Sequence, residues 1–212
     1  MMQHYLSVKE KYKDCIVFYR LGDFYEMFFD DAIKASKLLD LTLTGRDCGL
    51  SERAPMCGIP FHAADNYIAK LVSLGEKVAI CEQLEDASQA KGIVERGVIR
   101  VVTAGTITDD EHLDEKKSNY ICCAYKTGNG IALCWADITT GELTATEFSG
   151  ENDIGKAVSR MVNLGVKEVI CNDEMLMSSE NLPEVVRGIL PHFSNYPSFA
   201  FKYSVAERTL LE

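Results

Sequence analysis

Apolar residues recur along the first part of the chain at spacings typical of helices and of strands. Tyr5, Val8 and Tyr12 lie at helical spacing and predict a short amphipathic helix at the start of the chain. The continuous apolar run CIVFYRLG that follows predicts a strand buried on both faces. A Gly-Asp turn and the stretch FYEMFF come next.

A helix, a strand and a long loop are predicted beyond that stretch. Asp30 or Asp31 is the expected N-cap of the helix, because Asp favours that position. LDLTLTGR alternates as a strand, whereas RDCGLSERAPMCGIPFHAAD is rich in Gly and Pro and is predicted to be a surface loop. A further helix from about Ala63 to Leu74 is expected to end at Gly75, and EKVAICEQL and VIRVVTAGT are predicted strands.

The pattern changes in the second half of the chain. Strand-like segments separated by the turns TGNG and TTGE predict an antiparallel meander over NYICCAYK, IALCWADI and LTATEF. A helix with Ile154, Val158, Met161 and Val162 on one face follows, and KEVIC is a further strand. This order opens a ribonuclease-H-like fold, although many α/β folds share it.

The two halves predict an α/β protein of two domains. A mixed-sheet domain is expected over residues 1–110 and a ribonuclease-H-like domain over residues 119–212. Residues 111–118 carry many charges without apolar periodicity, which predicts a linker. With 212 residues, 47% of them hydrophobic, the chain is long enough for two cores.

Composition favours a cytoplasmic protein. No apolar run approaches the ~20 residues that span a bilayer, and no signal-peptide pattern opens the chain. The eight cysteines contain no C-x-x-C pair, and several lie in apolar runs. They are therefore expected to be buried thiols in a reducing compartment.

The charge balance argues against a self-sufficient nucleic-acid-binding domain. The net charge is -10, and residues 1–110 carry 13 basic and 17 acidic side chains while residues 111–212 carry 9 and 15. Phosphate contacts require Lys and Arg, so neither half has the expected excess of positive charge.

Catalytic chemistry is not expected in this chain. A G-x-x-x-x-G-K-[ST] nucleotide-binding loop is absent from the sequence, and the four His residues are not spaced as metal ligands. A ribonuclease-H-like nuclease needs several carboxylates around Mg²⁺. Asp137 is the available acid on a predicted strand, and its position favours the start of the TTGE turn.

The stretch RLGDFYEMFFDDA holds the most informative pattern. Residues two apart in a strand point to the same face, so Phe24 and Glu26 share a face and Tyr25 lies on the other. An aromatic run of this kind usually belongs to a core. If it were exposed, an aromatic ring beside a carboxylate would suit contact with a flat group that offers hydrogen bonds.

The chain resembles the MutS family of bacterial DNA mismatch repair proteins. MMQHYLSVKEKYKDCIVFYRLGDFYEMFFDDAIKASKLLDLTLTGR is similar to the amino-terminal mismatch-binding domain of that family, as are PMCGIPFHAADNYIAKLVSLGEKVAICEQLED and KGIVERGVIRVVTAGT. ADITTGE and its surroundings resemble the family's connector domain more loosely. Ala87 and Ala104 stand where the family commonly has Pro, which bears on loop rigidity.

The resemblance implies that Phe24 and Glu26 form the family's Phe-x-Glu mismatch reader. Phe24 would enter the duplex from the minor groove and stack on a mispaired base, where opening the step costs less than at a matched pair. A carboxylate beside DNA is costly unless it accepts a hydrogen bond from a base or takes up a proton. Glu26 would reach the base on which Phe24 stacks, and Tyr25 would support the core.

Further contacts to DNA follow from the resemblance and from charge. The Arg53–His62 loop, with Pro55 and Met56, is similar to a second minor-groove contact surface of the family. The candidate phosphate contacts are Arg46, Lys70, Arg96 and Arg100.

The family also implies partners beyond this chain. The resemblance implies a full-length homodimer that uses ATP and Mg²⁺, with a basic DNA clamp beyond Glu212 and a MutL-type partner at the connector domain. Mismatched duplex DNA in the bacterial nucleoid would be the ligand. Two alternatives stay open: a nuclease-like enzyme, or a protein-interaction scaffold in which GDFYE is buried.

Overall fold

The protein forms two α/β units. The computed structural model describes residues 1–49, 53–85, 94–107, 119–191 and 193–211. These separate into the compact units Met1–Thr103 and Ala104–Glu212. Each unit has a sheet with parallel and antiparallel neighbours, which confirms the predicted mixed α/β class. The linker predicted over residues 111–118 lies outside the described residues.

The first unit is built on a six-stranded sheet with the strand order β3-β4-β2-β1-β5-β6. Its elements are α1 (Met2–Lys11), β1 (Cys15–Leu21), β2 (Phe24–Phe28), α2 (Phe29–Leu39), β3 (Thr44–Arg46), β4 (Ala54–Pro60), a 3-10 helix (Phe61–Ala63), α3 (Ala64–Ser73), β5 (Lys77–Gln83) and β6 (Arg96–Val102).

Helix α1 covers one face of this sheet. Tyr5 and Val8 of α1 pack with Tyr19 and Phe28 from β1 and β2, as the helical spacing at the start of the chain predicts. β1 lies between antiparallel β2 and parallel β5. Because both faces of this central strand are covered, the run from Cys15 to Tyr19 is buried, as its continuous apolar character predicts.

Three local predictions for this unit are wrong. Of LDLTLTGR, only Thr44–Arg46 forms a strand. Ala54–Pro60, within the predicted surface loop, is strand β4 and lies hydrogen-bonded between β3 and β2. Helix α2 begins at Phe29, before either predicted N-cap.

Asp31 is buried instead of capping α2. Its carboxylate accepts hydrogen bonds from the Tyr5 hydroxyl at 2.9 Å, from Lys9 Nζ at 2.7 Å and from the Val17 backbone N–H at 3.0 Å. These donors come from α1 and β1, so the side chain joins three elements. A buried carboxylate requires such partners, and they draw it away from the free N–H groups of its own helix.

The second unit is built on a five-stranded sheet. Its elements are β7 (Tyr120–Thr127), β8 (Gly130–Asp137), β9 (Glu142–Phe148), α4 (Asp153–Leu164), β10 (Glu168–Cys171), α5 (Asp173–Glu180), α6 (Glu184–Arg187), β11 (Phe193–Asn195), a 3-10 helix (Ser198–Phe201) and α7 (Tyr203–Leu211).

The strand order of this sheet is β11-β10-β7-β8-β9, with β7, β8 and β9 as the predicted antiparallel meander. β10 runs parallel to β7, and β11 runs parallel to β10. This is the strand order of a ribonuclease-H-like sheet and agrees with the fold class expected for residues 119–212. Val158 and Met161 of α4 are buried against the sheet as predicted, but Val162 is exposed, so its predicted place on the buried face is wrong.

Asp137 begins the turn between β8 and β9, as predicted. Its buried carboxylate accepts hydrogen bonds from the Asn119 N–H at 3.1 Å, the Thr139 N–H at 2.9 Å and the Thr139 hydroxyl at 2.6 Å. The hydrogen bonds from Thr139, followed by the one from Asn119, hold the pKa of Asp137 below its usual range against the opposing effect of burial.

The cysteines are free thiols, and most are buried. Burial raises the pKa of both Cys57 and Cys81 to about 11, so these side chains stay protonated at neutral pH and behave as small apolar groups. Among the described residues, the helices are too short or too polar to cross a membrane.

Candidate nucleic-acid interface

Strand β2 presents Phe24 and Glu26 on one face of the first sheet. In the antiparallel pairing of β1 and β2, Phe24 lies opposite Leu21 and Glu26 lies opposite Tyr19. Directly paired residues share a face, so both side chains lie on the face that α1 covers farther along the sheet. Phe24 is 48% exposed, whereas Phe28 on the same strand is fully buried.

A tight turn sets Phe24 at the start of its strand. Gly22 adopts a φ of +59°, which favours glycine, and the Arg20 guanidinium donates to its carbonyl oxygen. On the other side of β2, the Phe61 N–H donates to the carbonyl of Asp23 at 3.0 Å. The backbone on both sides of the turn is therefore held, and the Phe24 ring projects from a fixed point.

Tyr25 supports this strand from the opposite face, as the strand spacing predicts. The ring is buried, and its hydroxyl donates to the Glu82 carboxylate on β5. Arg20 on the intervening strand β1 completes the cluster with an ion pair of 3.3 Å to Glu82. Burial, reinforced by Glu82, raises the pKa of Tyr25, so the hydroxyl keeps the proton that it donates.

No pattern in the sequence indicates the supporting roles of Arg20, Glu82 and Phe61. The Arg20 guanidinium lies 3.7 Å from the centre of the Phe61 ring and 5.6 Å from that of Tyr25. Phe61 is 41% exposed and follows β4 directly. Arg20 and Glu82 are 62 residues apart, so no local pattern links them.

Glu26 is paired with Arg46. The Arg46 guanidinium donates to Oε2 of Glu26, and the two side chains are 39% and 17% exposed. Gly58 lies opposite Glu26 on β4, and a Cβ atom there would lie 3.5 Å from the Cγ of Glu26. The small residue leaves the surface between the two strands open to the Glu26 side chain.

Pro55 and Met56 occupy strand β4 instead of the predicted loop. Pro55 is paired with Gly45 of β3, and Met56 lies between Thr44 and Phe28. Met56 is partly buried and packs against the α1-side core, so its side chain does not stand on a projecting loop. The predicted loop is wrong because Gly and Pro are typical of loops, whereas pairing with both β3 and β2 makes this segment a strand.

The remaining candidate cations have different environments. Lys70 is exposed on α3. The Arg96 guanidinium donates to the carbonyl oxygens of Arg20 at 2.9 Å and Val94 at 2.8 Å and lies 5.5 Å from the centre of the Tyr19 ring, so it fastens β6 to β1. Arg100 is half-buried on β6. Of the predicted cations, the structure joins Arg46 directly to Glu26.

The described residues contain no group of three or more His, Cys, Asp or Glu side chains placed to hold a metal ion. What the first unit offers is an exposed aromatic ring beside a paired carboxylate on a rigid sheet. Such a surface can stack on a flat group and accept a hydrogen bond from it.

The fold and this surface define an α/β protein that has an exposed aromatic ring beside a carboxylate in its first unit and a ribonuclease-H-like second unit. Family comparisons agree with that class: the model of MutS domain I matches residues 1–111, and that of MutS domain II matches residues 119–212. The chain belongs to the MutS family.

The most similar relatives include proteins named DNA mismatch repair protein MutS. The one from Ruminiclostridium cellulolyticum is 55% identical over 203 residues, which cover 96% of this chain and 23% of the relative. The one from Clostridium tetani is 62% identical over 154 residues, which cover 73% of this chain and 18% of the relative. The chain thus spans less than a quarter of the length of these relatives.

Proposed function

We propose that this chain recognises mispaired or unpaired bases in duplex DNA and so begins mismatch repair. Phe24 is the wedge and Glu26 the hydrogen-bond acceptor. The observation that carries the proposal is the exposure of the Phe24 ring at the start of a strand whose other aromatic residues, Tyr25 and Phe28, are buried. Membership of the MutS family and the names of the relatives support it.

The physical basis is selection by deformability. Inserting a ring into a base step costs a few kcal/mol of unstacking, and the cost is lower where the bases are mispaired. Stacking of Phe24 on the mispaired base returns about 1–3 kcal/mol. A phenyl ring has no hydrogen-bonding pattern of its own, so it accepts many mispairs, while Glu26 adds one directional contact.

The proposal also includes the other predicted contacts to DNA, which differ in how well their environments suit that role. Lys70 and Arg100 are proposed phosphate contacts. Pro55 and Met56, whose side chains are partly exposed on strand β4, are proposed contacts to the minor groove. Arg96 is a weaker candidate, because its guanidinium already bonds two backbone carbonyls.

No particular observation favours either alternative, the protein-interaction scaffold or the nuclease-like enzyme. A scaffold with a buried GDFYE stretch would require Phe24 to be covered, and the ring is half-exposed. A nuclease would require Asp137 to face a metal ion, but its two oxygens are occupied by Asn119 and Thr139.

We further propose that the full-length protein, meaning this chain with the regions that its relatives have in addition, is a homodimeric ATPase that uses Mg²⁺. A DNA clamp outside this chain would supply most phosphate contacts, and a MutL-type partner would bind the second unit. Family membership supports this assignment. A cytoplasmic, nucleoid-associated location follows from the same proposal.

The test compares full-length wild type and Phe24→Ala on duplexes with and without one mismatch, at a single salt concentration. We expect the mismatch-to-match affinity ratio of the variant to fall roughly tenfold or more, toward one, because the stacking contact is lost. Phe199→Ala removes an exposed ring from the second unit and serves as the control. An unchanged ratio in Phe24→Ala would exclude the ring as the wedge.

A further inference from the structure

The ion pair between Arg46 and Glu26 joins two strands that are not neighbours. Arg46 lies on β3 and Glu26 on β2, with β4 between them. Opposite the two residues, β4 carries Ala54 and Gly58 on this face. These are small residues, so the carboxylate and the guanidinium can meet across the intervening strand.

Among the described residues, the pair uses one carboxylate oxygen of Glu26 and leaves the other available as a hydrogen-bond acceptor. Arg46 donates to Oε2 of Glu26. Within the described residues, Oε1 accepts no hydrogen bond and Glu26 has no second cation. Arg46 itself is kept in place by the sheet, with its guanidinium 6.0 Å from the centre of the Phe28 ring.

We propose that Arg46 is a positioning residue for the reader, and this inference rests on the proposed function. Arg46 holds Oε2 so that Oε1 points outward beside Phe24 and accepts the base N–H. It also supplies the positive charge that lets a carboxylate approach the phosphates. Arg46 thereby determines mismatch specificity through Glu26 and does not act as a phosphate contact.

Two physical arguments favour this role over a phosphate contact. A free Glu side chain populates several rotamers, and fixing one of them on binding costs conformational entropy. Because the ion pair fixes the Glu26 side chain before DNA binds, this cost is not added to binding. The first unit has an excess of acidic residues, so an unpaired carboxylate at the interface would add to the repulsion from DNA. If Arg46 moved to a phosphate, Glu26 would lose both its orientation and its counter-charge.

The test is a double-mutant cycle in the full-length protein: wild type, Glu26→Gln, Arg46→Gln and the double variant. Each is titrated with matched and singly mismatched duplex over a range of salt concentrations. We expect Arg46→Gln to lower the mismatch-to-match ratio roughly tenfold in the presence of Glu26 and to leave it unchanged in the Glu26→Gln background. The salt slope on matched duplex should stay at the wild-type value.

Two further variants separate positioning from a general effect of charge or folding. Arg46→Lys keeps a cation within reach of Glu26 and should restore most of the ratio. Lys34→Gln removes the cation of the exposed Lys34–Glu76 ion pair in the same unit and should leave the ratio at the wild-type value.

A phosphate contact would give a different result. Arg46→Gln would then weaken both duplexes by the same factor in both backgrounds and reduce the salt slope by about one. That result overturns the positioning role and leaves the Phe24 wedge untouched. If wild type shows no mismatch preference, the proposed function and this inference both fail.

Discussion

The hydroxyl of Tyr25 donates a hydrogen bond to Glu82 across the whole width of strand β1. The two residues are 57 positions apart in the sequence. They lie on the face of the sheet opposite Phe24, so the contact holds β2 from behind while leaving the proposed reader face open. The strand that carries the proposed reader is thus held by a polar contact on its other face.

Tyr25→Phe tests this support. The substitution removes the hydroxyl but keeps the buried ring, so we expect a loss of about 1–2 kcal/mol in the free energy of unfolding. Urea denaturation of the chain measures it. Tyr125→Phe is the control, because no described residue accepts a hydrogen bond from that hydroxyl. Equal effects of the two substitutions would show that the bond to Glu82 adds no stability.

Phe24 and Phe28 form a matched pair on one strand with opposite environments. Phe28→Ala removes a fully buried ring that packs edge-on against Tyr5, and should cost about 3–5 kcal/mol. Phe24→Ala removes a half-exposed ring and should cost less than about 1 kcal/mol. Thermal unfolding followed by circular dichroism compares them. A large loss for Phe24→Ala would identify that ring as part of the core.

The sequence predicts the parts of this fold that depend on local periodicity. The helix at Tyr5 and Val8, the buried strand β1 and the meander of the second unit follow from spacing alone. Strand β4 does not, because its Gly and Pro residues are typical of loops and only pairing with β2 and β3 makes it a strand.

The candidate site, like the fold, is only partly predictable from the sequence. The shared face of Phe24 and Glu26 follows from the two-residue period of a strand. The Arg46–Glu26 pair depends on two strands meeting across a third, and the Tyr25–Glu82 bond depends on contacts between distant segments. These are tertiary relationships, and a single sequence does not encode them as a visible pattern.

Glu26→Gln should lower specificity by strengthening binding to matched DNA. The amide keeps an acceptor oxygen and removes the negative charge, and Arg46 loses its ionic partner. Repulsion from the phosphates therefore falls for every duplex, while the mismatched duplex alone also exchanges a charge-assisted hydrogen bond for a weaker neutral one, so the mismatch-to-match ratio decreases. Dissociation constants of the full-length protein for both duplexes at one salt concentration measure the change. Should the ratio stay constant, Glu26 is not part of the reader.

Asp137 gives the second unit a pH-dependent contribution to stability. Its pKa is lower in the folded state, so the contribution is complete above the unfolded pKa of about 4 and is lost as the pH falls through the folded pKa. Asp137→Asn should therefore destabilise the unit by about 1–2 kcal/mol at pH 7. The difference from wild type should shrink toward pH 3.

Trp135 provides the measurement for that prediction. It is the single tryptophan of the chain and is buried on β8, two residues from Asp137, so its fluorescence reports unfolding of the second unit. Urea titrations at several pH values give the free energies. Glu174→Gln, at an exposed acid on α5, is the control. A loss that is the same at pH 7 and pH 3 would contradict the role of the Asp137 charge.

The 212-residue chain by itself should bind mismatched DNA weakly or not measurably at physiological salt. The reader contributes one stacking contact and one base hydrogen bond, a few kcal/mol at most. Against these stand the cost of unstacking and the approach of a chain with net charge -10 to a polyanion. Specific DNA complexes draw much of their affinity from phosphate contacts, and residues 1–110 have fewer basic than acidic side chains.

Discrimination would then reside in this chain, while affinity would come from the proposed clamp and from dimerisation. Fluorescence titration of the purified chain onto a labelled mismatched duplex, with the matched duplex as control, decides the matter. Nanomolar binding specific for the mismatch would place the affinity in the first unit and contradict this division.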